Sequence, residues 1–316
     1  MILKNNLCYN LFFHMHSTDK TRLPLILTMT TDDEFFARAN ALLDHIEKLI
    51  PNNKAVFDTG SSNAFRWQVV GLNKFLAPVK NTSGIMLADL QCIDRQKQEI
   101  DRNTRQFLQN LPANHALLWG PRGTGKSSLI KALLNEYKDN DLCLIEMEKQ
   151  DLPDLPLVVE QLADRSDHFL IFCDDLSFEA NDPSYKAIKA VIDGSISNTP
   201  DNVLIYATSN RRHLMPEYMS ENLQSKMIEG ELHLDESIEE KISLSERFGL
   251  WLAFHPFNQD DYLAIVDYWL SKTDTKITDT ENIHKAALKW ALEHGSRSGR
   301  AASQFVRDWV GRQLVK

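Results

Sequence analysis

Apolar positions along the chain follow two regimes. Phe35, Ala39, Leu42, Ile46 and Leu49 recur at alternating steps of four and three, which places them on one face of a helix over 30–50. Thr31 and Glu34 supply a capping box at its start, and Pro51 ends it. From residue 115 onward, short unbroken apolar runs take over. His115-Ala116-Leu117-Leu118-Trp119, Leu142–Met147, Phe169–Cys173, Val203–Ala207 and Leu250–Phe254 read as five strands, in that order. Runs without polar alternation belong to strands buried on both faces, as in a parallel sheet. Helical stretches separate them at 128–137, 155–163 and 184–194, and 219–247 is charged and partly helical. A polar helix over about 94–109, stopped by Pro112, precedes the first strand. Strands alternating with helices predict an α/β sandwich around a parallel sheet.

After Pro256 only helical periodicity remains. Asn258 caps a helix running to about Lys272. Thr278 and Glu281 cap a second, with Ile283, Ala287, Trp290 and His294 on one face. A third, over 299–314, turns Ala302, Phe305 and Trp309 inward. Upstream of the sheet the pattern is mixed: a turn-rich piece at Asp58–Asn63, an aromatic piece at Phe65–Phe75, and a linker at Pro78–Gly84. The expected organisation is a small N-terminal helical region at 1–84, an α/β core at 85–256 and a helical domain at 257–316. Residues 1–28 have short apolar pieces broken by His14, His16, Asp19, Lys20 and Arg22. They read either as a disordered extension or as the product of a start assigned too early, with Met29 directly before the first helix.

Composition narrows the choice of partners. The 316 residues are 43% hydrophobic and 25% charged, ordinary values for a globular chain. A net charge of −9 is poorly suited to non-specific nucleic-acid binding, which needs clustered Lys and Arg. The four cysteines, Cys8, Cys92, Cys143 and Cys173, are scattered, and the last two lie inside strand runs as buried thiols. That usage fits a reducing, cytoplasmic setting. No apolar run reaches membrane-spanning length.

The candidate chemistry sits between the first strand and the helix after it. Gly120-Pro121-Arg122-Gly123-Thr124-Gly125-Lys126-Ser127 fits the phosphate-binding loop G-x-x-x-x-G-K-[ST]. Glycines let the backbone curl around phosphate oxygens with its N–H groups pointing inward. Lys126 then reaches the β- and γ-phosphates, and the Ser127 hydroxyl takes a place on Mg²⁺. The helix that begins around Ser128 adds the positive end of its dipole. Asp174-Asp175 ends the third strand, where an acid is needed beside the phosphates. Asp174 suits a role with Ser127 on the metal, and Asp175 is placed to orient or deprotonate the attacking water. Asn210, after the fourth strand, offers an amide that can hold that water.

Taken in series, G-P-R-G-T-G-K-S, F-L-I-F-C-D-D-L, A-T-S-N-R-R-H-L, S-E-R-F-G-L and G-S-R-S-G-R-A-A resemble the AAA+ ATPases. More closely, the chain is similar to a bacterial family of stand-alone predicted AAA+ ATPases with only a domain-of-unknown-function label. The resemblance covers about 85–316. It implies a P-loop NTPase three-layer sandwich, five parallel strands in the order 5-1-4-3-2, and a C-terminal helical lid. It implies that Asn210 is sensor 1 and Arg247 an arginine finger reaching a neighbouring subunit's nucleotide in a homo-oligomer. Arg300 is implied as the sensor-2 arginine, with Arg297 as the other candidate. Leu90–Ile93 resembles the segment flanking adenine, which adds Ile93 to a nucleotide set of Gly120, Pro121, Arg122, Gly123, Thr124, Gly125, Lys126, Ser127 and Ser128. Active members mostly carry Asp-Glu where this chain has Asp174-Asp175, and the shorter carboxylate reaches the water less well.

The resulting expectation is an ATP-binding protein whose Mg²⁺-dependent hydrolysis remodels a protein or nucleic-acid client. Two alternatives stand beside it: a nucleotide-dependent loader or adaptor that hydrolyses ATP very slowly, and a P-loop phosphotransferase. The cluster Arg211-Arg212-His213 is too small to name nucleic acid as the client.

Overall fold

The computed structural model describes residues 36–43, 59, 62–178, 182–193, 199–212, 214, 227–228, 231–232, 244–273 and 279–315. Contacts divide the chain into two compact units, Met1–Ile50 and Pro51–Lys316. In the first unit, 36–43 is helical (α1), as its periodicity predicts, and the rest of the 30–50 helix lies outside the described residues. Its Phe36, Leu42 and Leu43 are exposed.

The second unit is built on one sheet of seven strands. They are β1 (Ala64–Val70), β2 (Asn73–Pro78), β3 (Ala116–Trp119), β4 (Leu142–Met147), β5 (His168–Cys173), β6 (Val203–Ser209) and β9 (Leu250–Ala253). The two-residue strands β7 (Met227–Ile228) and β8 (Glu231–Leu232) pair separately. The sheet order is β2-β1-β4-β5-β6-β3-β9. Read from β9, the five strands recognised in the sequence stand as 5-1-4-3-2, all parallel.

The difference lies at the other edge. Residues 64–78, placed by the sequence in a helical region, form an antiparallel hairpin whose β1 adds in parallel to β4. The hairpin turn needs Gly71 at φ +63°. Phe65 and Trp67 alternate with exposed Arg66 and Gln68, the period-2 pattern of a half-covered strand. Taken together with later residues, the aromatic positions hid that alternation.

Alternate side chains of the central strands supply two cores, one on each face. Leu118, Leu170, Phe172, Leu204 and Tyr206 pack with α2 (Asp94–Leu108) and α3 (Lys126–Tyr137). Leu117, Phe169, Ile171, Ile205 and Ala207 pack with α4 (Leu155–Leu162) and α5 (Pro183–Asp193). Cys143 and Cys173 are buried as expected, and burial pushes each thiol up to about 12. The three helices of the C-terminal part are α6 (Gln259–Ser271), α7 (Thr280–Glu293) and α8 (Gly299–Leu314). Asn258 caps α6 as predicted. The cap of α7 is Asp279, whose side chain accepts from the Asn282 N–H, and Thr278 lies outside the described residues. Most of 219–247 also lies outside them.

His115 ties β3 to β6. Its Nδ1 accepts the Ile205 N–H at 3.0 Å, and burial lowers its pKa to about 4. The folded value lies below the unfolded one, so the neutral ring stabilises the fold above about pH 6.5, and that stability is lost as pH falls towards 4. His115→Gln retains an acceptor but cannot titrate. Between pH 7.5 and 4.5 the parental chain is expected to lose on the order of 2 kcal/mol more stability than this variant. Urea midpoints at the two pH values check this; equal losses would remove His115 from the acid response.

Candidate functional site

The phosphate loop is the turn from β3 into α3. Gly120 starts it at φ +143°, with its N–H on the Ser209 carbonyl at 3.1 Å. A Cβ there would stand 2.1 Å from the Phe254 carbonyl oxygen, so only glycine lets β3 run this close to the end of β9. Gly125, at φ +100°, is the N-cap of α3. Lys126 opens the helix and is nearly buried. Its Nζ donates to the Gly120 carbonyl at 2.7 Å, the Pro121 carbonyl at 2.8 Å and Asn210 Oδ1 at 3.3 Å. Burial lowers the Lys126 pKa; Asp175 and Asp174 oppose that shift, and Arg122 adds to it.

The acids stand across from the loop at the end of β5. Ser127 Oγ donates to Asp174 Oδ1 at 2.6 Å. Thr208 of β6 donates to the same oxygen and also accepts the Asp175 N–H at 2.9 Å. Asp175 sits in the left-handed region at φ +52°, a conformation that Asp and Asn tolerate better than longer side chains. That backbone is a physical reason for Asp where Glu is commoner. Both carboxylate oxygens of Asp175 are engaged: Asn210 Nδ2 donates to Oδ1, and Arg122 donates to Oδ2 at 3.2 Å.

These groups line one cavity of about 850 Å³. Arg122 through Ser128, Asp174, Asp175, Asn210, Arg300 and Ile93 all face it, so most of the sequence-predicted set meets in one place. Gly120 and Pro121 are not among its lining residues, and their carbonyls accept from Lys126. The lid reaches the loop directly. The Gly299 N–H donates to the Gly123 carbonyl at 2.9 Å, and a Cβ on Gly123 would meet the Ser298 Cβ at 2.7 Å. Arg300 follows at once on α8 and lines the cavity, whereas Arg297 is exposed and does not. Leu90, Ile93, Phe257, Ile265 and Trp269 supply the apolar part of the cavity's lining, with Ile93 next to Gly125 and Phe257 next to Gly299.

Arg247 lies outside this cavity. Its Nε donates to Asp193 at the end of α5, and its side chain is one-quarter exposed. Sequence reasoning missed Thr208, Trp269 and Arg307. Thr208 looked like a strand terminus, and Trp269 was one apolar position within the helix running to about Lys272. Arg307 had a readable signal, standing two helical turns beyond Arg300 on the same face.

Oxygen donors at the loop suit Mg²⁺. The Ser127 hydroxyl and the Asp174 carboxylate are hard ligands side by side. Among the described residues no cluster of three or more His, Cys, Asp or Glu could hold a metal unaided. A site of this kind leaves the remaining positions to phosphate and water, as Mg²⁺ prefers. No helix among the described residues is long and apolar enough to cross a membrane.

The strand order, the loop between β3 and α3 and the acids closing β5 together define an α/β fold of the P-loop NTPase class. Within that class the chain belongs to DUF815, a protein family of unknown function, whose pattern matches residues 60–313. Among solved structures it is similar to the RuvB Holliday junction branch migration motor of Thermotoga maritima, at 13% identity and TM-score 0.44 over 71% of each chain. It is also similar to the FIGL-1 AAA domain in complex with ADP, at 18% identity and TM-score 0.44, over 72% of this chain and 73% of that one.

Proposed function

We propose that the protein is a cytoplasmic ATPase that binds ATP with Mg²⁺ in this cavity and hydrolyses it to remodel a protein or nucleic-acid client. The observation that carries the reading is the contact of Ser127 with Asp174 beside buried Lys126, in a cavity lined by both cationic and apolar side chains. In this reading Lys126 leaves the Gly120 and Pro121 carbonyls for the β- and γ-phosphates. Ser127 and Asp174 would hold Mg²⁺, which would supply charge neutralisation to the phosphates. Asn210 and Asp175 orient a water against the γ-phosphorus. Its oxygen bonds to phosphorus, the bond to the β-phosphate oxygen breaks, and its proton passes to the Asp175 carboxylate. Arg300 stabilises charge from the lid, and Arg247 serves the next subunit of a homo-oligomer.

One observation favours a slow variant of this chemistry, a loader or adaptor in which ATP binding does the work. The Asp175 carboxylate is short and already accepts from Arg122 and Asn210, so it must exchange a partner before it can take a proton. Asp175→Asn decides whether it acts at all. Asn tolerates the same left-handed backbone, so the fold and ATP·Mg²⁺ binding are expected to survive while turnover falls roughly 100-fold or more. Turnover equal to the parental rate would remove Asp175 as the base.

A further inference from the structure

The cavity is longer than its phosphate end. On α8, residues Arg300, Ser303, Gln304 and Arg307 all line it, the spacing of one helix face. Arg300 stands at the loop, because the residue before it is bonded to Gly123. Seven residues of helix carry Arg307 about 10 Å further on. A second ruler agrees. Ser83 and Ile85, at the cavity's other wall, are fixed by their carbonyls to Asn135 Nδ2, at 2.6 Å each. Asn135 lies eight residues along α3 from Ser127, about 12 Å from the loop. Both walls therefore extend about ten ångströms from the phosphate loop, further than phosphates seated on that loop require. Leu90, Ile265 and Trp269 add apolar surface to the cavity, and Ile93 stands beside the loop, 3.4 Å from where a Cβ on Gly125 would be.

We propose that Arg307 is a specificity-determining residue for the nucleoside end of the bound nucleotide. This inference rests on the nucleotide reading of the cavity and goes beyond it by dividing the two lid arginines: Arg300 for phosphate, Arg307 for the base. An arginine offers a planar guanidinium with five donors and no acceptor. It stacks on an aromatic face and donates to ring nitrogens such as purine N1, N3 or N7. Arg307 is exposed on the cavity-lining face of α8, so its replacement leaves the core untouched.

The test compares ATP with inorganic tripolyphosphate as titrants of the full chain by calorimetry with Mg²⁺. Arg307→Ala is expected to weaken ATP about tenfold and leave tripolyphosphate unchanged. Arg307→Lys keeps the charge but not the plane, and is expected to lose most of the same ATP affinity. Arg300→Ala is expected to weaken both titrants. Equal weakening of ATP and tripolyphosphate by Arg307→Ala, or full ATP affinity in Arg307→Lys, would place Arg307 on the phosphates and overturn the proposal. Parental ATP affinity in Arg307→Ala would overturn it too. Lys126→Ala in the same assay reports separately on the nucleotide reading: loss of ATP there, beside an unaffected Arg307→Ala, sinks only the base-end assignment.

Discussion

Lys126→Ala is expected to lose ATP affinity by roughly 100-fold or more while the sheet stays folded. The ammonium makes charge-assisted hydrogen bonds, each worth about 1.5–3 kcal/mol, and it is placed to make them to phosphate oxygens. Loss of two such bonds amounts to about 3 kcal/mol or more, hence two decades in Kd. Burial of the side chain sharpens the effect, since the charge is already desolvated before nucleotide arrives. The variant leaves the Gly120 and Pro121 carbonyls without this donor, a loss of about 1–2 kcal/mol to the nucleotide-free fold. Thermal melting with and without ATP separates the two effects. The parental chain is expected to melt higher with saturating ATP, and the variant is expected to show no such rise. An equal rise in both would remove the loop from nucleotide binding.

Arg247→Ala is expected to bind ATP at parental affinity and hydrolyse it roughly a thousandfold more slowly, the scale of an arginine supplied to a transferring phosphoryl group. Such a residue acts on the transition state, so its loss appears in turnover and not in ATP affinity. The geometry is compatible with service to a neighbour. Arg247 lies outside its own chain's cavity and is held by Asp193 at the sheet's helical flank. Parental turnover per chain is expected to rise with protein concentration as subunits meet. Mixing Arg247→Ala with Lys126→Ala is expected to restore part of the activity, because an intact Lys126 cavity then meets an intact Arg247. Turnover per chain that is independent of concentration, with no rescue on mixing, would make Arg247 a structural ion pair.

Much of this site was legible because its residues lie at the ends of strong apolar runs. Lys126, Asp174 and Asn210 each follow a buried parallel strand, and in a parallel sheet those ends converge on one edge. The order of the strands came from resemblance, since periodicity alone does not order them. The β1–β2 hairpin escaped because its alternation is short and its aromatic residues mix buried with exposed positions. Arg122 was readable as part of the loop, but its bond to Asp175 was not. That contact depends on the left-handed turn at Asp175, which no spacing rule reports. That Arg300 lines the cavity and Arg297 does not likewise depends on the seat of α8 on Gly123, a contact between segments far apart in sequence.

Phosphate release from ATP by the parental chain at saturating ATP, followed with Mg²⁺ and with the metal chelated, tests hydrolysis at this cavity most directly. Steady release that requires Mg²⁺ and is absent from Lys126→Ala is the predicted result. Release no faster than that of Lys126→Ala, or release indifferent to Mg²⁺, would contradict ATP hydrolysis at this cavity.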